Sequence, residues 1–297
     1  MAVCARSAWL ELGGQTIQLE DLTAGYFCTE LDLGYPAVRE VVNNRPDQDG
    51  VDDRTRFMGA RVVSANITAA APTATIDDVA ASFAPYMNPA ARPVLHYILD
   101  RPGAPERTLT VRASAYSSPI AGPWEREIQL QWVAADPVAR DGVTHTATSF
   151  AGSSTAPGRQ YNLTFNRTYP AAGSAPTAGT IYTHGDLAVR PVFRIWGPIT
   201  SPNMSLNRYE PGVGTVGTSL YFLAGFIIGS GQWVDVDYAT KTAVRSDGTN
   251  VASQIDWGRT TWTNVPPYPG YAQFALYGQS TSGTTQAVAS WQDAFLL

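Results

Sequence analysis

The stretch REIQLQWVAAD, residues 126–136, has an alternation of side chains that decides the fold class of this chain. Ile128, Leu130 and Trp132 fall on one face, while glutamate and glutamine occupy the positions between them. Successive side chains of a strand point to opposite faces of its sheet. A period of two therefore predicts a half-buried strand of an antiparallel sheet.

Short β-branched or aromatic runs recur along the chain and are separated by Gly, Pro, Asn and Asp, which is typical of β structure. These runs are RVVSANITA (61–69), RTLTVRASAY (107–116), YNLTF (161–165), RPVFRIWG (190–197) and WVDVDYA (233–239). We therefore expect a mainly β protein.

One segment, TIDDVAASFAPYM at residues 75–87, has a helical period instead. Its apolar residues recur at i, i+3, i+4 and i+7, and they are Ile76, Val79, Ala80 and Phe83. Thr75 followed by Asp78 forms an approximate capping box, and Pro85 should end the helix nearby. The pattern predicts a single short helix with one apolar face.

The length, composition and net charge of the chain limit the classes of protein to which it can belong. The chain has 297 residues, 44% of them hydrophobic and 15% charged, which is enough to fill the cores of two domains. A formal net charge of −5 argues against a general nucleic-acid binder, which needs clustered cations to neutralise phosphates. Lys241 is the only lysine, which fits either a GC-rich genome or a preference for arginine in interface contacts.

Neither a secretory signal nor a membrane helix is expected. The first residues lack a charged region followed by a long apolar run. The longest apolar run, LYFLAGFII at residues 220–228, is well short of the roughly 20 residues that a membrane helix needs.

A change in composition after Pro137 indicates a domain boundary. Residues 138–157 are mainly Ala, Thr, Ser and Gly, with few large apolar side chains. We place the first domain at residues 1–140 and the second at 141–297. A second stretch that is rich in small residues, residues 169–180, is interpreted as a loop inside the second domain.

Two motifs resemble enzyme signatures but lack their context. GVGTVG, residues 212–217, matches the dinucleotide-binding pattern, yet an aromatic, strand-like segment follows it where that site needs a helix. We interpret it as a loop and expect no cofactor. YGQSTSG, residues 277–283, has the wrong spacing for a nucleophile elbow, and no helical segment follows it.

The histidines and cysteines give no metal-binding spacing. His96 lies in a predicted strand, where a structural role is commonest, and His145 and His184 lie in Thr-rich stretches where solvation is expected. No metal site is predicted from them. Cys4 and Cys28 are the only cysteines, and both a reduced state and a pairing between strands stay open.

Asp235 and Asp237, in QWVDVDYATKTAV, are the candidates for acid–base chemistry. Residues i and i+2 of a strand lie roughly 6.6 Å apart, which overlaps the carboxyl separation of inverting glycosidases. However, Val234, Val236 and Tyr238 make the better core face, so we expect both carboxylates to point outward with no catalytic role. Ala239-Thr240-Lys241 and Asp247-Gly248 predict the two turns that flank the following strand.

Aromatics of the second half of the chain are the remaining candidates for binding. Aromatic rings bind sugar faces, and they also fill cores and interfaces. The candidates for glycan contact in the second domain are Trp233, Trp257, Trp262 and Tyr268.

Taken together, several segments resemble the distal tail protein (Dit) family of bacteriophages with long, non-contractile tails. GYFCTELDLGYPAVREVVNNRPDQDGVDDRTRFMGARVVSANI, residues 25–67, is similar to the opening of that family. GDLAVRPVFRIWGPITSPNMSLN (185–207) and QWVDVDYATKTAV with its SDGTN turn (232–250) resemble segments of its C-terminal half. The order and spacing of these segments carry the resemblance over nearly the whole chain.

The resemblance implies a fold and a role. The N-terminal domain would be a β-sandwich-like ring domain with one short helix, and the C-terminal domain a galectin-like, jelly-roll β-sandwich. The ring, generally of six subunits, would join the tail-tube protein to the tail-tip hub in the virion, with the tape measure protein as a further candidate partner. DNA would pass through the lumen without specific binding, and no catalysis is implied.

Three functions therefore stand as alternatives. The first is a structural ring protein of the tail tip. The second is a glycan-binding or receptor-binding tail module that uses aromatics of the second domain against a host cell-wall glycan. The third is a glycosidase that uses Asp235 or Asp237. The closing segment, from residue 266, departs from the family pattern and leaves the last strand order open.

Overall fold

The computed structural model describes residues 5–39, 43–44, 51–52, 57–70, 73–122, 124–151 and 176–296. Over these residues the chain is mainly β, with one short α-helix, and its strand pairs are antiparallel. The expected fold class is confirmed. The chain divides into two compact units, Met1–Gly142 with Phe295–Leu297, and Val143–Ala294. No helix within the described ranges is both long and apolar enough to span a membrane.

The first unit contains two large sheets. Its strands are β1 Ala5–Leu12, β2 Gln15–Gln18, β3 Tyr26–Asp32, β4 Val38–Arg39, β5 Asn43–Asn44, β6 Val51–Asp52, β7 Phe57–Met58, β8 Arg61–Ala70, β9 Val94–Leu99, β10 Glu106–Thr110, β11 Arg112–Ser117, β12 Ile120–Gly122, β13 Glu125–Ala134 and β14 Ala139–Asp141. One sheet has the order β2-β1-β9-β10-β14 and ends with β25, Ala294–Phe295. The other has the order β11-β13-β8-β3, with β12 also on β13.

The alternation in residues 126–136 is confirmed. Ile128, Leu130 and Trp132 are buried, and they pair across the sheet with Ile67, Ala65 and Val63 of β8. These side chains form one core with apolar residues of the other sheet, among them Leu10, Leu95 and Tyr97. The predicted single strand at 107–116 is wrong, because the chain passes from β10 in one sheet to β11 in the other. The break falls at Val111, which is buried and donates its backbone N–H to Pro93.

Helix α1, Thr73–Ser82, begins two residues before the predicted start, so Thr75 lies inside the first turn instead of capping it. Its predicted apolar face is confirmed, since Ile76, Val79, Ala80 and Phe83 are all buried. A short 3₁₀ turn, Ala84–Met87, follows and contains Pro85.

Two buried arginines hold the end of the chain in the first unit. The Arg61 guanidinium donates a hydrogen bond to the backbone carbonyl of Leu296, and burial lowers the pKa of Arg61 from its usual value. The Arg107 guanidinium lies 3.9 Å from the centroid of the Phe295 ring. The last residues, which the sequence assigned to the second domain, therefore complete a sheet of the first unit.

The second unit is a sandwich of two sheets. Its strands are β15 His145–Phe150, β16 Gly179–Tyr182, β17 Val192–Trp196, β18 Ile199–Glu210, β19 Gly214–Tyr221, β20 Ile227–Ile228, β21 Trp233–Asp237, β22 Thr242–Arg245, β23 Tyr271–Gln279 and β24 Gln286–Trp291. One sheet has the order β15-β24-β17-β21-β22, and the other β16-β23-β18-β19 with β20 on β18. Phe193 of the first sheet meets Phe274 of the second at 5.2 Å between ring centroids. The predicted strand at 161–165 lies outside the described residues.

The GVGTVG motif is a turn followed by a strand. Gly212 and Gly214 adopt positive φ angles of 83° and 95°, which glycine accepts without the steric penalty of a Cβ. The chain reverses there, and β19 starts at Gly214, paired with Glu210 of β18. The loop prediction is therefore wrong for Gly214–Gly217, and a strand stands where the dinucleotide fingerprint needs a helix.

Candidate functional site

Asp235 and Asp237 both have structural partners. Asp235 accepts two hydrogen bonds from the Arg194 guanidinium, from Nε at 2.7 Å and from Nη2 at 2.8 Å. This contact raises the pKa of Arg194 above its usual value. Asp237 accepts from the Ala239 backbone N–H at 2.7 Å and from the Thr240 hydroxyl at 2.8 Å. One carboxylate is thus paired with a cation, and the other holds the hairpin turn.

The alternation predicted for this strand is confirmed. Val234, Val236 and Tyr238 are buried, and both aspartates are partly exposed on the other face. The hairpin turn is also confirmed, with Lys241 at a φ of 57° before β22 begins. A general acid needs surroundings that disfavour its charge, whereas a bidentate arginine stabilises the charge on Asp235. The arrangement supports a structural role for this pair.

The four aromatic candidates fall into three groups by ring contact. Trp233 lies 4.7 Å from Trp196, measured between ring centroids. Trp257, half exposed, lies 5.5 Å from Trp262. The Tyr268 ring is 71% exposed and stacks 6.5 Å from His184. Ring contacts therefore do not join the candidates into one platform, and glycan binding stays a prediction.

The Trp257–Trp262 pair is anchored at one end in the core. Trp262 makes an edge contact with Tyr238 at 5.0 Å, and burial strongly raises the pKa of Tyr238. Trp257 donates its indole N–H to the Ala252 carbonyl at 3.1 Å. The pair thus presents one exposed indole, Trp257, in a fixed orientation.

His96 is a structural histidine, as predicted. It lies on β9, its Nδ1 is 2.7 Å from Glu106 Oε1, and its ring stacks on Trp9 at 5.0 Å. Of the two cysteines, Cys4 lies outside the described residues. Cys28 has a free thiol, and burial raises the pKa of that thiol.

The predicted solvation is confirmed for His184, whose side chain is 72% exposed, and only in part for His145, at 34%. The structure brings both imidazoles to the buried carboxylate of Asp293, at 3.8 Å and 3.5 Å. Sequence reasoning missed this cluster because Asp293 lies 109 residues after His184 in the chain, in a segment without a metal-binding spacing. The pairing of strands creates the proximity, and no local pattern signals it.

The fold resembles that of known phage proteins. A crystal structure of the SPP1 Dit protein (gp 19.1), described as a paradigm of the hub adsorption apparatus in phages that infect Gram-positive bacteria, matches 97% of this chain and 99% of its own. The TM-score is 0.64 and the sequence identity 12%. A chain of the phage P2 baseplate in its activated conformation with Ca matches 98% of each chain, with a TM-score of 0.47 and 8% identity.

No protein-family model matches the sequence, and no curated protein matches it significantly. The SPP1 likeness extends over both units at an identity too low to be visible as simple sequence similarity. It shows a shared fold, and this is the fold expected from the resemblance of the quoted segments.

Proposed function

We propose that this chain is a structural protein of the tail tip of a long-tailed bacteriophage, where it assembles as a ring and acts without catalysis. The observation that carries the proposal is the fold match to the SPP1 Dit protein over nearly the full length of both chains. The ordered Dit-like segments in the sequence support the same role.

In this proposal the first unit forms the ring and the second is an outward-facing sandwich. The partners are further copies of the chain, generally six in all, together with the tail-tube protein and the tail-tip hub. The tape measure protein is a further candidate partner. The protein would be located in the virion, at the tip of the tail.

The edges of the five-stranded sheet support ring formation. In the described residues β3 lies at one end of its order and β11 at the other, each with a neighbour on one side. Open edges present unpaired N–H and C=O groups, and closing a sheet on itself removes them. Pairing of β3 in one copy with β11 in the next would be a head-to-tail interface, and such an interface closes into a ring when its rotation allows.

The outward face of this sheet suits the wall of a channel that passes DNA. Across its two central strands it carries three polar pairs, Gln131 with Ser64, Gln129 with Asn66, and Glu127 with Thr68. Neither lysine nor arginine occupies the outward positions of β8 and β13. The two central strands therefore gain no counterion release from phosphates. On the same face the neighbouring strand β11 carries the exposed Arg112, opposite Val133.

The test is the mass of the purified full chain by native mass spectrometry over a range of concentrations, followed by negative-stain microscopy. We expect a closed species of about six copies of the 31.9 kDa chain, with a central hole. Addition of the tail-tube protein should promote this species where the chain alone is too dilute to close. A chain that stays monomeric at high concentration, with and without the tube protein, would contradict the ring.

A second candidate function is glycan binding by the second unit, and the exposed Trp257 indole favours it. Its core-anchored partner Trp262 fixes the orientation of the ring, which lowers the entropic cost of stacking a sugar on it. Binding to a panel of cell-wall glycans should fall in Trp257→Ala and persist in Trp124→Ala, which removes an exposed tryptophan of the first unit. Equal binding by both variants would exclude the Trp257 site.

A further inference from the structure

A row of tyrosines crosses one sheet of the second unit. Tyr271 of β23 pairs in register with Tyr182 of β16 on one side and with Tyr209 of β18 on the other. The ring centroids of Tyr182 and Tyr271 are 5.8 Å apart, and those of Tyr209 and Tyr271 are 5.2 Å apart. Three neighbouring strands therefore present three rings side by side, and we call these rings the tyrosine row.

The tyrosine row lies on the solvent side of the sandwich. Tyr182 is 58% exposed and Tyr209 is 37% exposed. Phe274, at an alternate position of β23, is buried and meets the opposite sheet. Each ring of the row is held by its neighbour across the sheet, and a tyrosine has only two side-chain torsions to fix. The rings are thus presented to a ligand at a low entropic cost.

Amide side chains follow the tyrosine row on the same face. Gln273 pairs in register with Asn207, and both side chains are exposed. Gly217 of β19 lies opposite Asn207, and a Cβ at that position would be 3.3 Å from Asn207 Oδ1. Because glycine has no side chain, the amide pair stays open on that side.

The outward face around the tyrosine row is uncharged. Between this row and the pair Tyr277–Asn203, the outward positions of β16, β23, β18 and β19, all of which are described, hold no charged side chain. They hold tyrosine, asparagine, glutamine, serine, threonine, glycine and alanine. Beside Asn203 the Arg259 guanidinium covers the Tyr221 ring, 3.9 Å from its centroid. The tyrosine row at the other end of the face therefore suits a neutral ligand.

We propose that this face binds a neutral, extended glycan, with the tyrosine row as the stacking surface and with Asn207 and Gln273 as hydrogen-bonding groups. The C–H face of a pyranose packs on an aromatic ring, and its hydroxyls donate and accept hydrogen bonds, as side-chain amides do. Neighbouring strands are about 4.8 Å apart, which is close to the length of one sugar unit in an extended chain. Each ring of the row thus matches one unit. The proposal rests on the glycan-binding candidate above and not on the ring, and its site does not include Trp257.

A protein or a nucleic acid fits the face less well. The cores of protein interfaces are enriched in Trp, Phe, Met and Arg besides Tyr. None of those four residue types occupies the outward strand positions between the tyrosine row and the pair Tyr277–Asn203. A nucleic acid needs cations against its phosphates, and the same positions supply none.

The experiment is a titration of the purified full chain with neutral, linear hexasaccharides of glucose and of N-acetylglucosamine. Binding is followed by calorimetry and by saturation-transfer nuclear magnetic resonance. The tyrosine variants are made in Trp257→Ala, so that the exposed indole does not contribute, and the comparison of Trp257→Ala with the wild type tests that indole separately.

We expect saturable binding of at least one of the two sugars. Tyr182→Ala and Tyr209→Ala should each weaken it by more than about 5-fold, as the truncation of a binding hot spot does. Tyr209→Phe should retain most of the affinity because it keeps the ring.

Tyr277→Ala is the matched control and should leave the affinity unchanged. Tyr277 is 42% exposed, close to Tyr209, and it lies on the same strand and face as Tyr271, about 20 Å further along. Tyr182 lies on the end strand of its sheet order and is mostly exposed, so its removal leaves the core intact. Tyr182→Ala therefore keeps the proposal testable even if Tyr209→Ala fails to fold.

The absence of saturable binding to either sugar would overturn the proposal, and so would equal losses in Tyr182→Ala and Tyr277→Ala. Native mass spectrometry of the same variants separates this site from the ring. A changed number of subunits in Tyr182→Ala would assign the face to an interface between copies and would also overturn the proposal. A chain that binds the sugars through the tyrosine row but forms no ring would contradict the ring alone.

Discussion

Two sheets, one in each unit, have equivalent inward faces and different outward faces. In the first unit the central inward pairs between β8 and β13, such as Trp132 with Val63, are apolar, and in the second unit so are those between β17 and β21, such as Phe193 with Val236. Outward, the first sheet carries uncharged polar pairs such as Gln129 with Asn66. The second carries the ion pair Arg194–Asp235 and the ring pair Trp196–Trp233.

Inward side chains stabilise the fold of each sheet, whereas outward side chains are available for function. Burial of the inward face requires only apolar side chains at every second position, so both sheets satisfy it in the same way. The outward positions contribute little to the core and are available for function. Polar pairs without cations on the two central strands suit a channel wall, whereas rings and a stacked arginine suit contact with a ligand or partner.

The largest expected effect tests the equivalence of the inward faces. Trp132→Ala in the first unit and Phe193→Ala in the second should each cost about 3–5 kcal/mol of unfolding free energy, since both fully buried rings leave cavities. Chemical denaturation followed by fluorescence and circular dichroism measures this. Gln131→Ala, the neighbour of Trp132 on the outward face, is the control and should stay within about 0.5 kcal/mol. A cost in Gln131→Ala equal to that in Trp132→Ala would contradict the assignment of faces.

The inward faces are also what sequence reasoning predicts best. Alternation at residues 126–136 and 233–238 identifies the buried side chains because a strand has a fixed period of two. The period does not indicate when a chain leaves one sheet for another, so the break at Val111 was missed. The start of β19, Gly214–Gly217, was interpreted as a loop because its glycines favour turns in isolation, whereas pairing with β18 makes them part of the strand.

The two candidate sites, Asp235 with Asp237 and the cluster at Asp293, also differ in how far the sequence predicts them. The outward position of Asp235 and Asp237 follows from the alternation of their strand, and the turn after Asp237 from the hairpin, and the sequence indicated both. The Arg194 partner of Asp235 lies on β17, 41 residues away, and was not predicted. The cluster at Asp293 depends on the pairing of β15 with β24 and on the position of the segment after β16. Contacts between residues so far apart in sequence are set by tertiary packing, which one sequence does not encode in any local pattern.

The next effect concerns the ring pair on the outward face of the second unit. Trp233→Ala removes the contact with Trp196 and the Arg194 guanidinium that lies 5.1 Å from the ring. We expect a loss of about 1 kcal/mol, since an aromatic pair is worth roughly 0.5–1.5 kcal/mol beyond its buried area. Trp233→Phe should recover part of that loss. If Trp233→Ala instead costs as much as Phe193→Ala, the ring belongs to the core and the contrast between the two faces fails.

A smaller effect is the coupling energy within the outward pairs, which should depend on salt for the charged pair Arg194–Asp235 but not for the polar pair Gln129–Asn66. A double-mutant cycle on Arg194 and Asp235 should give a coupling of about 0.2–1 kcal/mol, because both side chains are more than a quarter exposed and water screens them. The coupling should shrink in 1 M salt, where the screening length falls to about 3 Å. A cycle on Gln129 and Asn66, which carry no charge, should not depend on salt. Equal salt dependence in the two cycles would contradict the comparison.

The smallest effect is one that the two units should share. Each has an exposed aspartate in a turn. Asp21 accepts from the Thr23 hydroxyl at 2.6 Å, and Asp247 accepts from the Thr249 backbone N–H at 2.8 Å. These hydrogen bonds favour the ionised form and lower the pKa of both carboxyls.

A lowered folded-state pKa means that each group adds stability above its unfolded pKa of about 3.9 and loses that contribution as the pH falls through the folded value. Carboxyl titration by nuclear magnetic resonance should therefore place both midpoints below about 3.9. Thr23→Ala should raise the midpoint of Asp21 and leave that of Asp247 unchanged. A shift of both midpoints in that variant would show that a charge effect across the whole protein, and not the local turn, sets these values.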